Sequence, residues 1–225
     1  MPQTISNPTP RRTQAARRAE SDRRMLRAAS HLISRQGLRA TTLAEIGLLA
    51  GYSSGLPVSR YGGKAGLVEA LLEAMDHWCQ TTFAAATAGR RGLDALKARV
   101  EVYVSGARAI PDGAQALQMI RVEAPHAFPS LLPRLDALTR HWREGIRDDL
   151  ADARSLGEVR PDLDCEAYAE VILGAMQGLM TGRVGSALAE LQQTLPDLLC
   201  EMVRGSSAPT SGPAAPALAS TPRSS

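Results

Sequence analysis

Aromatic residues make up only 4% of this 225-residue chain, and cysteines number three. A core short of aromatics must be built mainly from Leu, Ala, Val and Met. Cys79, Cys165 and Cys200 are odd in number and widely spaced, and no signal-like apolar run precedes them, so a disulfide framework is excluded and reduced thiols in the cytoplasm are expected. The longest uncharged apolar stretch, residues 171–182, contains Gln177 and falls short of the roughly 20 residues that a membrane-spanning helix needs. Catalytic constellations are missing too. There is no G-x-S-x-G turn, and His31, His77, His126 and His141 are scattered without zinc-ligand spacing. The GGK at residues 62–64 is no phosphate loop, because the required upstream glycine falls at Val58 and Ala65 replaces the magnesium-holding Ser or Thr. No enzyme activity, metal or cofactor is expected, and the adjacent Asp148 and Asp149 read as a solvated helix face.

What is present is helical period almost throughout, with no alternating strand pattern. The most informative stretch is TTLAEIGLLAGYSSGLPVSRYGGK, residues 41–64. Thr42 and Glu45 form a T-x-x-E capping box that starts a helix near Leu43. Gly51 is placed to end it in the left-handed conformation. Ser53 or Ser54 can cap a second helix; Ser54 fits better, since it puts Pro57 within the first turn, where a missing N–H costs nothing. Gly62 and Gly63 break that helix and Lys64 opens the next. Two short helices joined by a tight turn form a shape that enters a DNA major groove.

Charge is divided accordingly. Residues 1–64 carry 11 Lys plus Arg against 3 acids, a net +8, whereas residues 65–225 carry 15 against 20, a net −5. A basic end supplies sequence-independent affinity for phosphates, and an acidic remainder keeps off the duplex. The run Arg11, Arg12, Arg17, Arg18, Arg23 and Arg24 fits either a solvated tail or a phosphate-contacting arm.

Residues 20–80 resemble the DNA-binding domain of the tetracycline-repressor (TetR) family. The likeness rests on a first helix with Met25, Leu26, Ala28, Ala29, Leu32 and Ile33 ending at Gly37, the Thr41–Thr42 pair, the Ala-Gly-Tyr-Ser turn, Tyr61, Lys64 and Leu67. It departs where the family commonly has Leu-Tyr in the recognition helix: here Pro57 and Val58 stand, so that tyrosine's contact is lost. Gly66 also loosens the start of the following helix. The resemblance implies an all-α fold, with an N-terminal three-helix helix-turn-helix domain and a C-terminal helical ligand-binding and dimerisation domain. The expected division is a disordered basic arm (1–19), the DNA-binding domain (20–80), an effector-binding and dimerisation domain (81–204) and a disordered tail (205–225).

It further implies a ligand-responsive regulator, most often a repressor, acting as a homodimer on a palindromic double-stranded operator and released by a small apolar effector. Ser53, Ser54, Gly55, Pro57, Val58, Ser59 and Arg60 would face DNA, with Thr42, Tyr61 and Lys64 fixing phosphates. Leu56 fits either a thymine-methyl contact or the core. Phe83, Tyr103, Met119, Phe128, Trp142 and Met176 fall on different predicted helices and would converge on an effector pocket; Arg121 and His126 would be its polar contacts.

Further helices are predicted over residues 93–109, 114–123, 131–156, with Leu135, Leu138, Trp142, Ile146 and Leu150 on its inner side, and 165–182, capped by Asp164, and the final one must kink or divide at Pro196. Gly174, Gly178 and Gly182 recur at i+4 beside Val171 and Ala175. Each glycine costs about 1 kcal/mol relative to Ala in a helix interior, which implies close helix pairing, and with Leu191 and Leu198 these residues would form the dimer interface. Two rival readings stay open: a helical ligand-binding protein or enzyme that has lost operator binding, and a non-specific architectural DNA binder using the arginine arm.

Overall fold

The computed structural model describes residues 13–181 and 186–205, and among these residues every regular element is helical. The order is α1 (Gln14–Ala40), α2 (Leu43–Leu49), α3 (Leu56–Tyr61), α4 (Lys64–Thr87), α5 (Gly92–Ala109), α6 (Pro111–Ala127), a 3-10 turn (Pro129–Leu131), α7 (Leu132–Ser155), α8 (Cys165–Thr181) and α9 (Ser186–Arg204). The first three form the small N-terminal unit, α4 runs from it into the second unit, and the remaining helices bundle around α4, α5 and α7.

Most helix boundaries follow from caps legible in the chain. Thr42 accepts from the Glu45 amide at 3.2 Å while the Glu45 carboxylate accepts from the Thr42 amide at 2.8 Å, so the capping box is complete. Asp164 Oδ1 accepts from the amides of Glu166 and Ala167. Others differ. α1 begins at Gln14, inside the stretch expected as a disordered arm, because the Thr13 side chain accepts from the Ala16 amide and the good helix formers Gln14, Ala15, Ala16, Arg17, Arg18 and Ala19 follow. α6 starts at Pro111 rather than Ala114, since proline at the first helical position sacrifices no bond, and it runs through Pro125 to Ala127. α9 likewise continues through Pro196.

Within α1 the helical dihedrals stop at Gly37, whose φ is 86°. Added to that backbone, a Cβ would lie 2.5 Å from Glu123 Oε1 on α6. Glycine suits this backbone, and the Glu123 carboxylate fills the space that a Cβ would take. Gly66 has a comparable reason: a Cβ there would collide with the Tyr61 carbonyl oxygen. The residue that reads as loosening α4 lets α3 and α4 meet at a tight corner.

The core is mostly aliphatic. On α7 the expected inner stripe Leu135, Leu138, Trp142, Ile146 and Leu150 is buried. Phe83 and Tyr103 meet Trp142 edge-on, with ring centroids 6.3 Å and 5.4 Å away, an arrangement the ring quadrupoles favour. Cys79, Cys165 and Cys200 are buried free thiols, and no described helix is long and apolar enough to cross a membrane.

One charge pair sits inside this core. Asp149 is not on a solvated face; it is buried, and Arg99 Nε reaches it at 2.6 Å and Nη2 at 3.2 Å. Burial raises the Asp149 pKa above the usual carboxylate value despite the guanidinium. Removing one partner of a buried pair is costly because the other is left uncompensated. Arg99→Leu is therefore expected to lose about 3–5 kcal/mol at pH 7, read as a lower urea midpoint. A carboxyl with a higher pKa in the fold than in the unfolded chain binds its proton preferentially when folded, so the variant's stability should rise as pH falls from 7 towards 5. A midpoint that stays low throughout that range would contradict the buried placement of Asp149.

Candidate nucleic-acid interface and effector cavity

The α2–α3 corner is held by backbone geometry. Gly51, with φ 81°, donates to the Leu48 carbonyl at 3.0 Å, and the Tyr52 amide donates to the Gly47 carbonyl at 2.9 Å, the paired bonds of a Schellman C-cap. Gly47 then permits contact: a Cβ on it would stand 2.5 Å from the Ser53 carbonyl oxygen and 3.1 Å from Pro57 Cδ. Pro57 is buried in this seam, so the expectation that it faces DNA is corrected. Its ring packs α3 onto α2. A glycine inside a seven-residue helix is itself a signal of close approach, since it costs about 1 kcal/mol against Ala, and Gly47 was the clue available. Ser54 does not cap α3; Gly55 occupies the cap position without a side-chain bond.

The outward face of this corner carries Ser53, Ser54, Gly55, Val58 and Ser59, all exposed, with Val58 at 51%. Thr42 is also exposed, but its hydroxyl is committed to Glu45, donating to the carboxylate at 2.7 Å. Leu56 is half-buried against the core. The other expected contacts turn inward. Arg60 Nη1 pairs with Asp22 Oδ1 of α1 at 2.5 Å, and the Tyr61 hydroxyl donates to the same oxygen at 3.1 Å. Burial, then Asp22, pushes the Tyr61 hydroxyl up to about 12. Lys64 Nζ donates to the carbonyls of Leu38 and Arg39 at 3.1 Å and 3.0 Å and lies 5.4 Å from the Phe128 ring centroid. Burial lowers its pKa, with Glu123 and Glu45 opposing. Lys64 thus caps the end of α1 instead of pointing at a phosphate, because carbonyls left over at a helix end are its nearest acceptors. Asp22, which holds Arg60 and Tyr61, was not singled out in the sequence. The exposed cations of this unit ride on α1, at Arg17, Arg18, Arg23, Arg24, Arg27, Arg35 and Arg39.

Beside this unit lies a cavity of about 610 Å³ between α1, α4, α5 and the start of α6, with Leu26, Leu71, Met75, Trp78, Ile110 and Leu117 among its apolar walls. Gly106 lets the Trp78 ring lie directly against α5. Of the expected pocket residues, Tyr103 and Trp142 border this cavity. Phe83 and Trp142 border a second space of about 320 Å³ with Gln80, Arg99 and His141. Met119, Phe128 and Met176 border neither: Met176 is 1% exposed within the core, Met119 packs against that core, and Phe128 lies under Lys64. Their positions on helices were readable, but their rotation towards the core depends on tertiary packing.

One helix joins the cavity to the DNA-facing unit. At its start Asp112, a cavity residue, bonds His31 Nδ1 at 2.9 Å and accepts from the Ser34 hydroxyl at 3.1 Å. The bond with His31, then that from Ser34, lowers the Asp112 pKa. Towards its end Glu123 accepts from the backbone amides of Leu38 and Arg39 at 3.3 Å and 2.8 Å. No cluster of residues suited to holding a metal occurs among the described residues.

On α8, Val171 is 56% exposed, and a Cβ at Gly174 or Gly178 would meet nothing within 4 Å in the single chain. Ala175 is half-buried, and Leu191 and Leu198 of α9 are exposed. Gly182 lies outside the described residues.

The comparisons with known proteins agree with this architecture. A family model described as bacterial regulatory proteins, tetR family, matches residues 25–71, and one described as tetracyclin repressor-like, C-terminal domain, matches residues 92–184; together they span more than half of the chain. No curated protein matches the sequence. Among solved structures, the fatty acid degradation regulator FadR from Bacillus halodurans is 16% identical with a TM-score of 0.72, over 82% of this chain and 96% of that one. A regulatory protein in the tetR family from Rhodococcus RHA1 is 20% identical with a TM-score of 0.69, over 81% and 96%. The ketosteroid transcriptional regulator KstR2 of Mycobacterium tuberculosis is 18% identical with a TM-score of 0.60, over 86% and 97%. These likenesses show the fold, and the two matched domains in their order show that the chain belongs to the TetR family of DNA-binding, non-enzymatic transcriptional regulators.

Proposed function

We propose that the protein is a homodimeric, cytoplasmic repressor that places one α3 per subunit in successive major grooves of a palindromic operator and lets go when a small, largely apolar molecule fills the cavity. The observation that carries this reading is the double role of α6. It walls the cavity near Asp112 and Leu117, and it grips α1 through Asp112 and Glu123. A ligand that spreads α1, α4 and α6 must carry the DNA-reading corner with it. Half-sites demand a fixed separation of the two α3 helices, so a small pivot suffices for release. Footprinting upstream of the protein's own gene tests for an operator; protection of no discrete site, with equal affinity for any duplex, would favour the architectural reading.

Base reading falls to exposed Ser54, Val58 and Ser59, and phosphate attraction to the α1 arginines. Ser59→Ala should weaken operator binding by about five-fold, the worth of one neutral hydrogen bond, while leaving random duplex unaffected. Lys64→Met should lower the melting temperature, by leaving the Leu38 and Arg39 carbonyls without their donor, and leave the slope of log affinity against log salt unchanged. A slope reduced by about 1 would return Lys64 to the phosphate contacts.

Dimerisation is supported by α8, where Gly174 and Gly178 present bare backbone beside exposed Val171. Gly178→Leu should block close approach of a second copy and give monomers in sedimentation, with operator affinity reduced at least a hundred-fold by the loss of linked half-site contacts, a gain of about 10²–10⁴ when present. A dimeric variant with normal affinity would put the interface elsewhere.

A further inference from the structure

Two polar atoms at the inner end of the large cavity are open to it and have no partner. Tyr103 of α5 and Gln118 of α6 both line it and are 8% and 5% exposed. The Tyr103 hydroxyl makes no hydrogen bond to a described residue. Gln118 spends its amide nitrogen, which donates to the Gln177 carbonyl at 3.4 Å, and this assigns Oε1 as an unused acceptor. Neither oxygen is walled in. The atoms that are both unpartnered and shielded include Trp142 Nε1 and Arg121 Nε and Nη2, which a molecule in the cavity does not reach, but not these two. Buried polar atoms ordinarily find a partner, and here a ligand is placed to supply it.

The two residues gather around one ring. Tyr103 meets Trp142 edge-on with centroids 5.4 Å apart, and the Arg121 guanidinium carbon lies 5.4 Å from the same centroid. Gln118 precedes Arg121 by three residues on α6, so the two share a helix face. The remaining polar lining, Arg27, Ser30 and Asp112, belongs to α1 and the start of α6. There Arg27, Ile110 and Pro111 are exposed and form the mouth, while Asp112 is already bonded to His31 and Ser34. Among the described lining residues Arg27 and Asp112 are the charged ones, so charge is confined to the mouth.

The donor and acceptor inventory selects the ligand. Burial pushes the Tyr103 hydroxyl up to about 12, so it keeps its proton at pH 7 and can donate. An amide oxygen only accepts. A hydroxyl answers both, by accepting from Tyr103 and donating to Gln118. A ketone or an ether answers Tyr103 alone. A carboxylate brought to this end loses its hydration without gaining a cation and meets an acceptor in Gln118. An acid held at the mouth by Arg27 buries its tail against both oxygens and leaves them unanswered.

Resting on the reading of this space as the effector site, we infer that the effector is an uncharged apolar molecule bearing a hydroxyl, which is bound by the Tyr103 hydroxyl and Gln118 Oε1 while the hydrocarbon body extends past Met75 and Trp78 towards Ile110. The cavity volume of about 610 Å³ lies within the range of roughly 300–1,000 Å³ usual for small-molecule sites.

The chain's two tryptophans, Trp78 and Trp142, both border this cavity, so intrinsic fluorescence reports its occupancy. The test titrates the full-length protein with 1-octanol, with its isomer 1-methoxyheptane, which has the same atoms but no donor, and with octanoate at pH 7. Octanol should bind saturably, about three-fold or more tighter than the ether, the worth of one extra neutral bond, and at least about ten-fold tighter than octanoate. In Gln118→Met the preference for octanol over the ether should vanish, with ether binding retained. Tyr103→Phe should weaken octanol and ether alike, by about five-fold, because both accept from that hydroxyl. Failure of octanol to bind, equal or tighter binding of the ether or octanoate by the wild type, a preference that survives in Gln118→Met, or an unchanged affinity in Tyr103→Phe would each overturn the inference. The wild-type comparisons need no variant to fold. Operator affinity followed in the same titration separates the two readings: octanol binding with these dependences that leaves DNA bound would uphold the hydroxyl site and refute its coupling to the operator.

Discussion

The hydrogen bonds that Glu123 accepts from the Leu38 and Arg39 amides decide where the DNA-reading corner stands relative to the rest of the chain. They fall where α1 has been broken by Gly37, so the amides they take are those released by the break, and the carboxylate occupies the space left by the missing Cβ. Lys64 takes the carbonyls of the same two residues from the other side. The end of α1 is thus bonded through both its donors and its acceptors, to α6 and α4 respectively. Those are also two of the helices that wall the cavity. Motion of either would therefore act on bonds made directly to the end of α1.

The two arginines of the bundle interior illustrate how the same side chain takes on different tasks. Arg99 has its carboxylate and an aromatic neighbour, with its guanidinium carbon 5.5 Å from the Phe83 centroid; its role is structural. Arg121, half-buried, lies against the Trp142 ring and has no ion pair among the described residues; a folded chain tolerates such a charge at the expense of stability.

Legibility from sequence depended on how local the determining interaction was. The helix-turn-helix was visible because its caps lie within a few residues of one another: Thr42 with Glu45, Gly51 with Leu48, Gly62 at the end of α3. Periodicity likewise gave the inner stripe of α7. What escaped were contacts between residues far apart in the chain. Pro57 was placed on the DNA side because Gly47, although it signals a close approach, does not say which residue fills the space it leaves. Arg60, Tyr61 and Lys64 have the chemistry of phosphate ligands, and only Asp22 and the Leu38 and Arg39 carbonyls, brought up by folding, show them occupied. The aromatics expected to form one pocket were divided between two cavities and the core, since helix rotation is set by packing rather than by spacing. The arm beginning at Gln14 was misread for a local reason: the proline-rich residues before it obscured the cap at Thr13.

The exposed surface of α3 and the corner before it carries serines and a valine but no free cation, while the basic side chains stand on α1. On the proposed function, charge that draws the protein to DNA and groups that identify a base sequence therefore occupy different helices. Arginines on α1 would exchange one phosphate for the next at little cost, so that the molecule could travel along a duplex while α3 probes successive steps. Target search and target choice are physically separable in such a chain, and the speed of the one can be changed without altering the outcome of the other.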